Sequence, residues 1–361
     1  MANFMKRGKK WQARITWRDS DGKLHQKSKS GFDTKQQAKQ YAAELETKRL
    51  SGMDIKSDPL LIDYYNRWFE TYKKPNISDV TANHYTLVRN LIKKNFSNKK
   101  ISKMKRIDYQ EFINAYGKDH SPETVKKVNT IFRSCIRSAV TDGLIPKDFT
   151  QQVNLVYNKE KERQVEYLSV AELKKLKNQC LEGRSRHFTS RYMILTAIYT
   201  GMRPEEIKGL TWDDINFENH TIDINKAWDS DKKEFKPTKN ESSNRIIRVN
   251  QDLLNVLSEL KANHTKMIFE DQYGTIPTST AYNKTLRAIM EKAEIQKRGF
   301  QFYSLRHCHV AYLLSQGVDL YIISKRLGHS NTTITTKVYA YLIDEYKMKS
   351  DDQIEKYLQK M

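Results

Sequence analysis

The 361-residue chain reads as a multidomain α+β protein. It predicts a small ββα-type N-terminal domain, an all-α middle domain, and a mainly α C-terminal domain with a small antiparallel sheet. Three observations carry this reading. The length suffices for two or three domains and a sizeable core. Strand-type alternation is confined to the N-terminus and to two short runs in the C-terminal half, while apolar residues elsewhere recur at helical spacing. Polar connectors at Ser51-Gly-Met-Asp54 and Asn158-Lys-Glu-Lys-Glu-Arg163 divide the chain into 1–56, 57–160 and 161–361.

In the first segment, Trp11-Gln-Ala-Arg-Ile-Thr-Trp-Arg18 alternates as a half-buried strand does. Asp19-Ser-Asp-Gly22 is a turn, and Lys23–Lys29 returns as a polar, basic strand. Gly31-Phe-Asp-Thr34 starts a helix with Ala38, Tyr41, Ala42 and Leu45 on one face. In the second segment, Leu60, Leu61, Tyr64, Trp68 and Phe69 mark one amphipathic helix, and Tyr85, Val88, Ile92 and Phe96 another. Ser121-Pro122 is an N-cap followed by proline at the first helical position. The stripe Val125, Val128, Phe132, Cys135, Ile136 and Ala139 follows and ends at Gly143. The third segment opens with a capping box, Ser169 and Glu172. Met193, Ile194, Ala197 and Ile198 then indicate a buried helix that stops at Thr200-Gly201, and Thr221–Ile224 and Arg245–Val249 are strand-like.

The net charge is +21, and it divides as +8, +7 and +6 over the three segments. A single basic tail would concentrate the charge, so the distribution favours an extended polyanion contacted along the whole chain. Arg14, Arg18 and Lys27 in the first segment, and Lys93, Lys94, Lys99 and Lys100 in the second, are candidate phosphate-backbone contacts. A solvated lysine face accounts for each cluster equally well. Cys135, Cys180 and Cys308 are too widely spaced for a zinc site and read as reduced thiols. No apolar run reaches membrane length, so the expectation is a cytoplasmic protein.

Four pieces carry candidate chemistry. Thr200-Gly-Met-Arg-Pro-Glu-Glu206 places Arg203 at a turn beside Glu206, where a guanidinium fork suits two phosphate oxygens. A purely structural Arg–Glu pair fits the same residues. Lys236–Arg245 reads as a hairpin loop with Lys239 at its tip. Tyr303-Ser-Leu-Arg-His307 puts Arg306 at a helix start, ahead of Val310, Leu313 and Leu314. Leu327-Gly-His-Ser330 holds His329 at a glycine turn, with Tyr339 ten residues on.

The order and spacing of these pieces resemble the tyrosine recombinases, in particular phage and integrative-element integrases. The resemblance extends over the whole chain. It makes 1–56 an arm-type DNA-binding domain, 57–160 a helical, SAM-like core-binding domain and 161–361 the catalytic domain. It implies Tyr339 as nucleophile, Arg203 and Arg306 as a phosphate clamp, Lys239 as general acid, His329 as a hydrogen-bond donor to phosphate, and Glu206 as the group orienting the clamp. A phenol of pKa about 10 is a weak nucleophile at neutral pH, and two arginines would stabilise both the phenolate and the transition state. Because a covalent phosphotyrosine keeps the phosphodiester energy, neither metal nor cofactor is required. Tyr341 lies about 200° around a helix from Tyr339, and the family's spacing selects Tyr339.

The chain departs from the pattern at one place. Tyr303 stands where relatives usually have the histidine of His-x-x-Arg, and a phenol is a poor base near neutrality. The implied function is site-specific integration and excision of a mobile element of a phage or conjugative type. The implied partners are double-stranded core-type and arm-type attachment sites, a tetramer assembled on DNA, a small excisionase and a host DNA-bending protein, in the cytoplasm of a bacterial host. The tail 342–361 could pack on a neighbouring protomer or on its own domain. The alternative from another class is a catalytically impaired, sequence-specific DNA-binding or architectural protein, which the Tyr303 departure motivates.

Overall fold

The computed structural model describes residues 2–18, 22–50 (48–50 as backbone only), 58–162 and 167–331, together with 333, 336, 355, 358 and 359. The chain divides into two compact units, residues 1–163 and 164–361. The connector Ser51–Asp54 and the tyrosines Tyr339 and Tyr341 lie outside the described residues, as does most of the tail.

The first unit begins with an antiparallel sheet in the order β1 (Ala2–Arg7), β2 (Lys10–Arg18), β3 (Leu24–Phe32), followed by helix α1 (Lys35–Leu50). Strand β1 is one more than the sequence announces. It is exposed along most of its length, so its residues carry no apolar alternation to read. The alternation in β2 points Ala13 and Ile15 at Ala42 and Leu45 of α1, with Trp17 and Tyr41 at the edge. The cross-strand register then sorts the basic residues by face. Lys27 pairs with Ile15 and lies on the helix-covered face, whereas Arg14 pairs with Ser28 and Arg18 with Leu24 on the opposite face. The three candidate contacts from this segment therefore do not form one surface.

Four further helices follow: α2 (Leu61–Trp68), α3 (Asp79–Phe96), α4 (Arg106–Gly117) and α5 (Pro122–Thr141). The Ser121 hydroxyl caps α5 by accepting the Thr124 N–H, and the whole stripe from Val125 to Ala139 is buried. The helix stops where Gly143 takes φ 69° and the Leu144 N–H reaches back to the Ala139 carbonyl. Trp68, Tyr65, Tyr109 and Phe132 fill the core between these helices. Lys93 and Lys94 are exposed on the last turn of α3. Lys99 is instead paired with Asp108 at 2.7 Å and Lys100 with Asp58 at 3.7 Å, so both carry a carboxylate partner that local sequence did not suggest.

The second unit is built around α7 (Ser190–Thr200), which is apolar on nearly every side and is surrounded by α6 (Val170–Glu182), α9 (Gln251–Ser258), α10 (Ser279–Lys292) and α11 (Ser304–Ser315). The short α8 (Pro204–Lys208) follows it, and α12 (Leu320–Leu327) is last. The capping box on α6 forms in both directions, between Ser169 and Glu172. Two small antiparallel sheets lie in the middle of the unit. One has the order β4 (Ile215–Asn216), β5 (Thr221–Ile224), β8 (Arg245–Arg248); the other pairs β6 (Lys226–Asp229) with β7 (Glu234–Pro237). Among the described residues no helix is long and apolar enough to cross a membrane.

At Gly117 a Cβ would fall 1.9 Å from the carbonyl oxygen of Val156, so the helix end and the returning chain touch backbone to backbone. Gly117→Ala is expected to destabilise the first unit by about 1–3 kcal/mol, and chemical denaturation of the variant against the parent checks this.

Candidate active site

Four segments of the second unit meet at one place. Helix α7 ends at Gly201, whose φ of 65° lets the chain turn sharply into Arg203 and α8. Arg203 is the N-cap of α8, and its backbone N–H donates to Glu206 Oε2 at 3.0 Å. Its guanidinium donates to Glu206 Oε1 at 2.6 Å, to the Ser243 hydroxyl at 3.2 Å and to the Gly328 carbonyl at 3.4 Å. Arg306, on the first turn of α11, is 2% exposed. It donates to the Gly201 carbonyl at 2.6 Å, the Leu327 carbonyl at 2.7 Å and His329 Nε2 at 2.9 Å. Both carbonyls sit at helix C-termini, where unpaired backbone oxygens carry partial negative charge. Gly328 closes α12 in the left-handed conformation, φ 68°, and sets His329 against Arg306.

The structure thus brings Arg203, Glu206, Arg306 and His329, all expected from the sequence, into one cluster. Lys239 and Tyr303 do not hydrogen-bond into this cluster; they line an adjoining cavity of about 450 Å³ together with Arg203, Tyr282 and Asn283. Lys239 is also not at a hairpin tip. Strand β7 pairs with β6 and β8 with β5, so residues 238–244 cross between two sheets. That crossing is held by its own polar side chains: Thr238 Oγ1 donates to Asn244 Oδ1 at 2.8 Å, and Ser243 Oγ donates to Asn240 Oδ1 at 2.5 Å. Tyr303 precedes α11 and is 47% exposed, its ring edge-on to His307 with centroids 5.5 Å apart. Tyr339 lies outside the described residues. Among the described residues no group of His, Cys, Asp or Glu side chains is placed to hold a metal ion.

Three family descriptions match successive parts of the chain: an arm DNA-binding domain over residues 3–49, an N-terminal SAM-like domain of phage integrases over 61–117, and the phage integrase family over 166–345. The chain belongs to the phage integrase family of tyrosine recombinases. It is 28% identical to a tyrosine recombinase XerC-like protein of Caldanaerobacter subterraneus subsp. tengcongensis, covering 96% of both chains. It is 26% identical to the integrase of Staphylococcus phage L54a, over 81% of this chain and 91% of the relative. The fold is similar to that of the Tn1549 transposon integrase in complex with a circular intermediate DNA, with TM-score 0.68, 18% identity, and coverage of 78% of this chain and 95% of that one. It is also similar to the lambda integrase tetramer bound to a Holliday junction, with TM-score 0.58, 16% identity, and coverage of 92% and 96%. The protein is therefore a site-specific recombinase, an enzyme that cleaves and rejoins DNA.

This cluster is electrostatically one-sided. Arg203, Arg245, Arg306 and Arg326 converge, and among the described residues their ion pairs go to one carboxylate, Glu206, 2% exposed. Burial raises the Glu206 pKa, but Arg245 and Arg203 outweigh it and hold the carboxyl below its ordinary value. Burial, then the neighbouring Arg203, brings Arg306 down to about 10, still protonated at neutral pH. Burial and Arg306 push His329 down to about 4, so its imidazole is neutral. Because a guanidinium can only donate, His329 Nε2 is the acceptor and the ring proton sits on Nδ1.

Sequence reasoning missed Arg245, Arg326 and His309. His309 is fully enclosed, with Nδ1 donating to the Ile198 carbonyl at 2.9 Å and Nε2 accepting from Arg326 Nε at 3.2 Å. Arg326 also donates to the carbonyls of Arg248 and Tyr199, locking α12 to β8 and α7. One signal for Arg245 was legible: it shares strand parity with buried Ile247, whereas Ile246 points outward.

These histidines make stability depend on pH. Burial and nearby arginines push His309 from its ordinary 6.5 to about 3. The unfolded chain therefore takes up a proton that the folded one refuses, and stability is lost as pH falls from about 6.5 towards 3. His307 and His329, both near 4, act in the same direction. His309→Asn, which keeps a donor to Ile198 but does not titrate, should flatten the slope of unfolding free energy between pH ~6.5 and ~4 by up to about 1.4 kcal/mol per pH unit. Denaturation series at several pH values measure that slope.

Proposed function

We propose that this recombinase integrates and excises a mobile element through a 3′-phosphotyrosine formed on Tyr339. The observation that carries the reading is the convergence of Arg203 with Arg306 and His329, which lie more than a hundred residues further along the chain, with Arg306 bound to neutral partners. A buried guanidinium without a carboxylate of its own is a receptor for an anion. A phosphodiester oxygen suits it, since the planar forks of Arg203 and Arg306 match two non-bridging oxygens.

In the proposed reaction the Tyr339 phenol gives its proton to water, favoured by the two guanidiniums, its oxygen attacks the scissile phosphorus, the bond to the 5′-oxygen breaks, and the phosphate remains joined to the tyrosine. Lys239, exposed beside the cavity next to Arg203, gives its proton to the leaving 5′-oxygen. His329, neutral, offers its Nδ1 proton to a phosphate oxygen. Glu206 fixes the direction of Arg203 from behind. Tyr303, lining the same cavity, contributes a hydroxyl there as hydrogen-bond partner to phosphate or nucleophile. A 5′-hydroxyl from a second duplex attacks the phosphotyrosine, releases Tyr339 and completes the exchange. The bond energy passes through the protein, which is why the scheme needs no cofactor.

The proposed organisation is an arm-type DNA-binding domain at 1–56, a core-binding domain at 57–160 and the catalytic domain at 161–361. Support comes from the matched spans, 3–49, 61–117 and 166–345. Core-type and arm-type duplex sites are the proposed partners. In the first segment the sheet face opposite α1, bearing Arg14 and Arg18, is a better DNA surface than the helix-covered face bearing Lys27. In the second, exposed Lys93 and Lys94 suit a backbone contact better than Lys99 and Lys100, whose charges are already paired. A tetramer on DNA, as in the lambda integrase complex, is the proposed assembly. A small excisionase and a host DNA-bending protein are the proposed accessory factors, and the cytoplasm of a bacterial host the proposed location.

The test is to incubate the protein with a nicked duplex carrying the attachment site from DNA flanking the gene, and to look for a denaturation-resistant protein–DNA adduct. The adduct is expected in the parent and absent in Tyr339→Phe. Arg306→Ala should slow its formation by on the order of 10²–10³. An adduct surviving in Tyr339→Phe would place the nucleophile elsewhere, with Tyr341 the next to examine. Specific binding with no adduct at all would favour the purely DNA-binding alternative.

A further inference from the structure

We propose that Arg245 is a positioning residue for the recombination site: it holds Glu206 behind Arg203 and ties that pair to the turn carrying His329. The inference rests on the assignment of Arg203 and Arg306 as phosphate ligands.

The geometry is that of a bracket. Arg245 Nη2 donates to Glu206 Oε2 at 2.9 Å and Nη1 to Glu206 Oε1 at 3.4 Å, so the carboxylate is gripped across both oxygens. Nη1 also donates to the Ser243 carbonyl at 2.7 Å, and Nε to the Arg326 carbonyl at 2.6 Å in the last turn of α12. One side chain therefore joins α8, the 238–244 crossing and the end of α12. The turn after α12 rests on this bracket. A Cβ on Gly328 would come to 3.0 Å from Arg245 Nη1 and also from Ser242 and Ser243, and His329 is the next residue. The Arg245 side chain is 7% exposed, with four hydrogen bonds engaging its guanidinium, so it acts through Glu206 and the turn without reaching substrate.

Charge gives the bracket a second effect. With Arg203 as its only partner, Glu206 would cancel the charge that is meant for the phosphate. Sharing one carboxylate between two guanidiniums leaves a net positive charge on the pair, and Arg203 can still be oriented by Glu206 Oε1 at 2.6 Å. Removing Arg245 would hand the carboxylate entirely to Arg203 and release the turn that presents His329.

The experiment uses the full chain with the nicked attachment-site duplex. It compares Arg245→Gln, Arg245→Lys, Glu206→Gln, the Glu206→Gln/Arg245→Gln double variant, and Arg203→Gln. Three quantities are read: the single-turnover cleavage rate at saturating DNA, the Kd for the duplex, and the melting temperature. Misplacing Arg203 and His329 should slow cleavage by Arg245→Gln on the order of 100-fold while leaving the Kd near that of the parent. Arg245→Lys keeps the charge but only a point contact, and should recover about tenfold of that loss. With Glu206 already replaced, Arg245→Gln should cost less than about threefold more, because the two act as one unit. The proposal is overturned if Arg245→Gln cleaves at the parental rate, if the losses multiply in the double variant, or if rate, DNA affinity and melting temperature fall together in both Arg245 variants. The Arg203→Gln arm separates the two assignments. An inactive Arg203→Gln beside a fully active Arg245→Gln removes only the positioning role, whereas a fully active Arg203→Gln removes the clamp itself.

Discussion

A guanidinium buried among carbonyl oxygens governs this site. Arg306 is held by the Gly201 and Leu327 carbonyls and by a neutral imidazole, none of which carries a full negative charge. The partial charges at the ends of α7 and α12 make burial of the cation tolerable without cancelling it. A carboxylate in the same place would have stabilised the fold more and left less attraction for phosphate. The helices around it are arranged to bring those two C-termini together, and everything else in the site is fixed relative to them.

Two left-handed glycines make that arrangement possible. A side chain at Gly201 would collide with His309 and Leu327, and one at Gly328 would press on Arg245 and Ser243. Each glycine both ends a helix and lets its carbonyl face a guanidinium, so backbone conformation and site chemistry are set by the same residue. The same closeness explains why α7 is apolar around its circumference: it is the wall that the arginine-bearing segments are packed against.

The positive excess has consequences for the other titrating groups. Each histidine near the cluster is kept neutral, by burial first and by the arginines second. A neutral His329 accepts from Arg306 and keeps a proton on its other nitrogen, an arrangement that a charged ring could not have. Glu206 stays ionised in spite of burial because two arginines reach it. The recombinase thus concentrates cationic charge at the proposed phosphodiester site, where Glu206 is the one carboxylate paired with the cluster among the described residues.

The sequence by itself determined which residue types were present, in what order, and which local elements carried them. Helical and strand periodicity, the caps at Ser121 and Ser169, and the glycine stops at Gly143, Gly201 and Gly328 depend on interactions within a few residues, so they were legible. The motifs bearing Arg203, Arg306 and His329 were legible through the family resemblance that their order and spacing carry. Strand β1 was not, because an exposed strand has no burial pattern. The placement of Lys239 was not, because whether two strands pair with each other or with different partners depends on the rest of the sheet. The faces of Arg14 and Lys27, and the ion pairs of Lys99 and Lys100, depend on register and on neighbours distant in sequence. Beyond the strand parity that Arg245 shares with Ile247, Arg245 and His309 were not legible as site residues, because most of the groups they bond lie on other segments. Only the tertiary structure brought the carbonyls of Gly201 and Leu327, 126 positions apart in the chain numbering, to one guanidinium. Local patterns cannot encode such a meeting, since it follows from how α7, α11 and α12 pack.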